Sequence, residues 1–198
     1  MPKIVDHEER RRVIVEALWR VVSRDGAAAV SVRNVAAEAG MPKSSIGHYV
    51  GTMPQLLSLA IEQMVTFVRA QSAELDRSTI DVDKATDAMM TLVPTDARRR
   101  QMSEVWLLLL SQRNAEPELA PILTDLNAQV LEGIMEGLMG LRSQGFVDPS
   151  RDLRREARVL HALIDGLAVQ SLTDPDSMPK SDVREIIKAQ LRGLNEPS

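Results

Sequence analysis

Three histidines, two tryptophans, one tyrosine and no cysteine bound the chemistry open to this 198-residue chain. His7, His48 and His161 stand far apart, and no HExxH, GxSxG, Walker A or CxxC sequence occurs. Without cysteine there is no disulfide framework, no Cys-ligated zinc site and no thiol redox sensor. The carboxylates are numerous but fall where solvated helix faces are expected. No residue is therefore assigned a catalytic, metal-binding or cofactor-binding role. A different chemistry is concentrated in one place. Lys43, Ser44, Ser45, Gly47, His48 and Tyr49 put a cation, two hydroxyls, an imidazole, a phenol and a bare stretch of backbone side by side. Lysine can reach a phosphate or guanine O6/N7, and serine offers adaptable hydrogen bonds. Glycine lets the backbone come close. Such a set suits a polyanion with hydrogen-bonding base edges. Arg33 and Thr52 flank it as candidates for phosphate contact.

The elements that must position these residues are legible around them. Ser31 is a suitable N-cap, and Val32, Val35, Ala36 and Ala39 continue as an apolar stripe at helical spacing. Gly40 stands where a sharp turn needs φ > 0. Ala36 is small enough to let a second helix cross closely. That helix is predicted from about Pro42 or Lys43 to Tyr49, with Ile46 inward and the polar set outward. Two short helices, a turn glycine and an exposed polar second helix make a helix-turn-helix.

The stretch Ser31–Val50, SVRNVAAEAGMPKSSIGHYV, resembles the TetR family of bacterial transcriptional regulators. The likeness rests on Ser31, Val35-Ala36, Ala39-Gly40-Met41, Pro42, Ile46-Gly47, Tyr49-Val50 and the following Met53-Pro54-Gln55-Leu56-Leu57. It extends over roughly residues 8–65. Gly47 stands where the family usually has tyrosine and Met53 where it has lysine. The resemblance implies that Arg33, Lys43, Ser44, Ser45, Gly47, His48, Tyr49 and Thr52 face double-stranded DNA. A symmetric dimer on a palindromic operator follows as the expected arrangement.

Composition agrees with a helical chain. Apolar residues make up 44% and aromatic residues 3%, so the core is expected to be Leu, Val, Ala, Ile and Met. The net charge of −4 is unevenly spread. Residues 1–55 carry eight Lys/Arg against six Asp/Glu, a local cationic excess. No apolar run approaches the roughly 20 residues of a membrane helix. The N-terminus carries no secretory signal pattern. A cytoplasmic location without membrane contact is expected.

The first helix is predicted from Asp6 or His7 to Arg24, its buried face formed by Val13, Ile14, Ala17, Leu18, Val21 and Val22. Arg10, Arg11 and Arg12 near its start read either as a solvated face balanced by Glu8 and Glu9 or as phosphate contacts. After Gly51-Thr52 a long helix runs from Met53 to Leu75. Five more follow: Val82–Leu92, Asp96–Asn114 capped by Thr95, Pro117 or Glu118 to Ser143, Ser150–Leu172 and Ser181–Leu194. The spacing of Gly133, Gly137 and Gly140 predicts close helix packing. The expected fold is all-α. An N-terminal three-helix DNA-binding domain, residues 1–52, joins a helical ligand-binding and dimerisation domain, residues 53–198, through the Met53–Leu75 helix.

Residues 160–194 resemble the C-terminal segment of BetI-like TetR members, through Ile164-Asp165-Gly166-Leu167 and the Asp-Pro loop after it. This implies a four-helix dimer interface, to which Leu160, Ile164, Leu167, Val183, Ile187 and Leu191 are assigned. The alternative is that these stripes fill the monomer core. The resemblance also implies an effector pocket, with Met89, Met102, Trp106, Asn127, Met135, His161 and Asp165 as candidate lining; ordinary core is the alternative for each. The implied function is a homodimeric repressor released from its operator by a small molecule. An activator, a co-repressor-type regulator or an all-helical enzyme are the alternatives.

Overall fold

A computed structural model describes residues 7–73 and 80–197. Nine α-helices account for the regular structure of these residues, with one 3-10 turn and no strand. In order they are α1 (His7–Asp25), α2 (Val32–Glu38), α3 (Lys43–Val50), α4 (Met53–Ala73), α5 (Val82–Met90), α6 (Ala97–Gln112), α7 (Leu119–Ser143), α8 (Leu153–Thr173) and α9 (Lys180–Gly193). The expected helices are all present to within a few residues at each end. The Asp6 start of α1 and the Leu75 end of α4 lie outside the described residues.

The chain divides into two compact units, but not at Thr52–Met53. One comprises Met1–Met64 with Glu104–Leu123; the other comprises Val65–Ser103 with Thr124–Ser198. The expected boundary at Thr52–Met53 falls within the first of these units. Leu56, Leu57, Ala60 and Ile61 of α4 are buried in the first unit, and Val105, Leu109, Leu119 and Leu123 are buried residues of its second segment. A boundary placed at a linker misses residues that return from far along the chain.

In the first unit α1 packs on both α2 and α3. Ile14, Ala17, Leu18, Val21 and Val22 are buried as expected, and Val15 and Trp19 join them, while Val13 is only half-buried. Trp19 keeps its indole N–H satisfied by donating to Gln63 Oε1 at 2.9 Å. Glu38, in the last turn of α2, receives Arg24 at 2.6 Å and Arg20 at 2.8 Å, tying α2 to α1. These two guanidiniums, Arg24 first, hold the Glu38 carboxyl below the usual carboxylate range.

In the second unit α9 packs on α5 and α8. One buried cluster gathers Ala85, Met89, Met90 and Val93 with Ile134, Leu138 and Leu141, and with Leu160, Ile164, Leu167, Val183, Ile187, Leu191 and Leu194. Outside it, Arg184 pairs with Asp87 and with Asp83 (3.4 Å), and Lys188 pairs with Asp83 at 2.5 Å. The cap of α6 is Asp96 rather than Thr95: Asp96 Oδ1 accepts from Arg99 N at 2.9 Å. Three arginines, Arg98, Arg99 and Arg100, follow this cap. Arg99 pairs with the capping carboxylate, donates to the Thr91 carbonyl at 3.2 Å and lies 5.9 Å from the Phe67 ring centroid. The glycine spacing in α7 is corrected too. A Cβ at Gly133 or Gly137 would meet nothing within 4 Å; only Gly140 is crowded, with Ile80 Cγ2 at 2.9 Å.

Candidate DNA interface

Ser31 opens α2 by accepting from Asn34 N at 3.1 Å, and Asn34 Nδ2 donates back to the Ala29 carbonyl at 2.8 Å. The turn into α3 uses Gly40 at φ 65°. Met41 N closes it on the Ala36 carbonyl at 3.0 Å. α3 then buries only Ile46 and Val50. These two, one turn apart, seat the helix on the first unit's core. Lys43, Ser44, Gly47 and His48 are exposed, and Ser45 and Tyr49 are half-buried. A Cβ at Gly47 would meet nothing within 4 Å, so packing inside the chain does not require glycine there. The far end is held by Gly51 at φ 66° and by Gln55 Oε1, which accepts from Thr52 N at 2.9 Å. This is half of a capping box at the start of α4. Arg33 on α2 and Thr52 are exposed.

Two residues of α1 meet the end of α3: His7, which sequence reasoning missed, and Arg11, which it weighed only as a possible phosphate contact. The His7 ring lies 5.7 Å from that of His48 and 5.2 Å from that of Tyr49, and the last two rings are 5.4 Å apart. Arg11 Nε donates to the Tyr49 carbonyl at 3.2 Å. His7 stands 41 residues before His48 in sequence, and no periodicity links the two. Arg12 is engaged within α1, with Glu9 at 2.7 Å and Glu16 at 3.1 Å, which favours the solvated-face reading for that member of the arginine run.

The effector candidates are divided between the two units. Met89 is a member of the second unit's core and Met135 packs against it. Met102 is buried, while Asn127 is exposed. Trp106 belongs to the first unit and the other six candidates to the second. Only His161 and Asp165 meet as a pair, at 3.8 Å on successive turns of α8. Burial raises the Asp165 carboxyl above its ordinary range, against the opposing pull of His161. A cleft of about 300 Å³ in the second unit is lined by Asp81, Val82, Asp83, Phe146, Arg192 and Asn195, none of them in the candidate set. For the residues assigned to the dimer interface, the core alternative is the one visible in a single chain. Leu160, Ile164, Leu167, Val183, Ile187 and Leu191 are all inside their own chain's core. Their helices instead turn Val159 (42% exposed), Val169 and Ile186 (38%) outward.

An exposed polar helix seated behind a glycine turn on two helices is the geometry of a DNA reader. Residues 81–195 match the family described as the BetI-type transcriptional repressor, C-terminal. The chain belongs to the TetR family of transcriptional regulators. It is 28% identical over 195 residues to the HTH-type transcriptional regulator PksA of Bacillus subtilis (strain 168), covering 98% of this chain and 94% of that one. A transcriptional regulator from Rhodococcus sp. Rha1 has the same fold, with a TM-score of 0.80 at 23% identity, covering 93% of this chain and 95% of that one. A regulator from Saccharomonospora viridis, solved in complex with choline, gives 0.79 at 25% identity over 92% and 95% of the two chains. The TetR-family relatives are transcriptional regulators, not enzymes, and this chain is a DNA-binding regulator of the same kind. No described helix is long and apolar enough to cross a membrane.

Proposed function

We propose that this TetR-family protein is a homodimeric repressor that leaves a palindromic operator when a small molecule binds its C-terminal domain. The observation that carries the reading is the division of α3. Ile46 and Val50 are buried, whereas Lys43, Ser44, Gly47 and His48 are exposed on a helix short enough for the major groove. One such helix contacts few bases. Two of them, about 34–36 Å apart in a twofold dimer, read two half-sites and gain both affinity and specificity. The outward residues of α8 and α9, Val159, Ala162, Val169, Ile186 and Ala189, supply the apolar surface for the second copy. The protein works where the chromosome is, in the cytoplasm.

Choline is the ligand of the Saccharomonospora relative. Quaternary ammonium recognition relies on an aromatic cage. Residues 81–195 here contain only Trp106 and Phe146 as aromatics. A different effector is therefore proposed, largely apolar with a few polar groups. It acts by preferring the conformation that does not fit the operator, and couplings of this kind are about 1–3 kcal/mol.

The test begins with selection of an operator from random duplexes, followed by titration of operator and scrambled DNA across salt. Specific binding that weakens steeply with salt is expected, because phosphate contacts release counterions. Equal affinity for both duplexes would refute the placement of α3. Compounds that raise the thermal midpoint are then tested for operator release. A bound compound that tightens the complex would reject induction while leaving DNA binding intact.

A further inference from the structure

Ile46 and Val50 lie on one face of α3 and set how deeply the helix sits. Its C-terminal end, anchored by Val50 and the Gly51–Gln55 turn, has further contacts. His7 and Arg11, one turn apart on α1, both reach it. The His7 ring stands at 51° to His48 and 57° to Tyr49, and His48 meets Tyr49 edge-on at 76°. Rings at such separations and inclinations attract, the positive edge of one toward the negative face of the next. The Tyr49 carbonyl that Arg11 Nε reaches at 3.2 Å belongs to the last turn of α3. Carbonyls there have no N–H partner within the helix, and the helix dipole favours a cation beside them. Arg11 is itself steadied by Glu8 at 3.3 Å. His7, Arg11 and His48 are all exposed, so these contacts are not by-products of core packing.

We propose that His7 and Arg11 are positioning residues for DNA recognition. They hold the C-terminal end of α3 and orient His48 and Tyr49 toward the duplex, acting through α3 rather than touching DNA. The inference rests on the reading of α3 as the recognition helix.

The experiment compares wild type, His7→Ala, His7→Phe and Arg11→Ala on the selected operator and on scrambled duplex. It is run across salt, with thermal unfolding of each variant measured alongside. His7→Ala is expected to lower operator affinity about 2- to 10-fold, the range one aromatic pair can carry. Arg11→Ala is expected to do the same. Scrambled-duplex affinity and the salt slope should stay as in wild type. His7→Phe, which keeps a ring but no ring nitrogen, should restore operator affinity. A slope shallower by about one would mean direct phosphate contact and would overturn the proposal. So would equal losses on both duplexes, unchanged operator affinity, or failure of His7→Phe to rescue. A wild-type protein that binds both duplexes alike fails the recognition-helix reading itself, before any variant is made.

Discussion

The sharpest perturbation of the DNA-binding unit is Ile46→Ala. Ile46 is 0% exposed and Val50 4%, and α3 buries nothing else. The substitution removes three carbons from the core, a transfer loss of about 2.5 kcal/mol at about 0.8 kcal/mol per methylene. The cavity left behind raises the total to about 3–4 kcal/mol, within the range for such truncations. Native domains hold only about 5–15 kcal/mol, so a large part of the stability would go. Trp19, buried in the same unit, makes tryptophan fluorescence a suitable monitor of urea unfolding. Operator affinity should fall with the population in which α3 is seated. Ile46→Val should lose only about 1 kcal/mol and keep binding. A loss below about 1 kcal/mol for Ile46→Ala would show that α3 is not anchored through this side chain, and the argument for its placement would fall with it.

Gly47→Ala should separate stability from binding. Nothing stands within 4 Å of the added methyl, and alanine is the better helix former by up to about 1 kcal/mol, so the unfolding midpoint should hold or rise while operator affinity drops. Val159→Glu and Ile186→Glu place a charge on outward positions of α8 and α9; sedimentation should show folded monomers, whereas Ile187→Glu, inside the core, should unfold the second unit. Glu38 gives a pH signature. Its depressed pKa means that its contribution to stability is present above the ordinary carboxylate pKa and is lost as pH falls through the depressed value. Urea midpoints from pH 7 down to 3 should therefore drop further for wild type than for Glu38→Gln, and parallel curves would show that the Arg20–Glu38–Arg24 contacts do not stabilise the fold.

Local signals were read well because local chemistry decides them. Ser31, Gly40 and Gly51 act through backbone groups a few residues away, and their roles follow from residue type and spacing. The helices were legible from apolar periodicity for the same reason. Periodicity identifies a buried face but not what buries it, so Leu160, Ile164 and Leu167 looked equally suited to a partner and to their own core. The effector candidates stay open for a related reason, since methionine fills a core as readily as it lines a pocket. The three-ring cluster needed the relative phase of α1 and α3, which depends on how both sit on one core. The return of residues 104–123 to the first unit is likewise a property of the folded chain.

The way the two units share the chain bears on the order of synthesis. The first unit includes residues through Leu123, so its contacts are incomplete when α1 to α3 have merely emerged. The second draws Val183, Ile187, Leu191 and Leu194 into its core, and these leave the ribosome after every other described helix. Until then Leu160, Ile164 and Leu167 have lost their α9 cover, and such apolar surface is what chaperones hold and aggregates form from. A message cut short within α9 would yield a chain able to complete its DNA-reading unit while its second core stays open. Quality control would therefore act on the second unit.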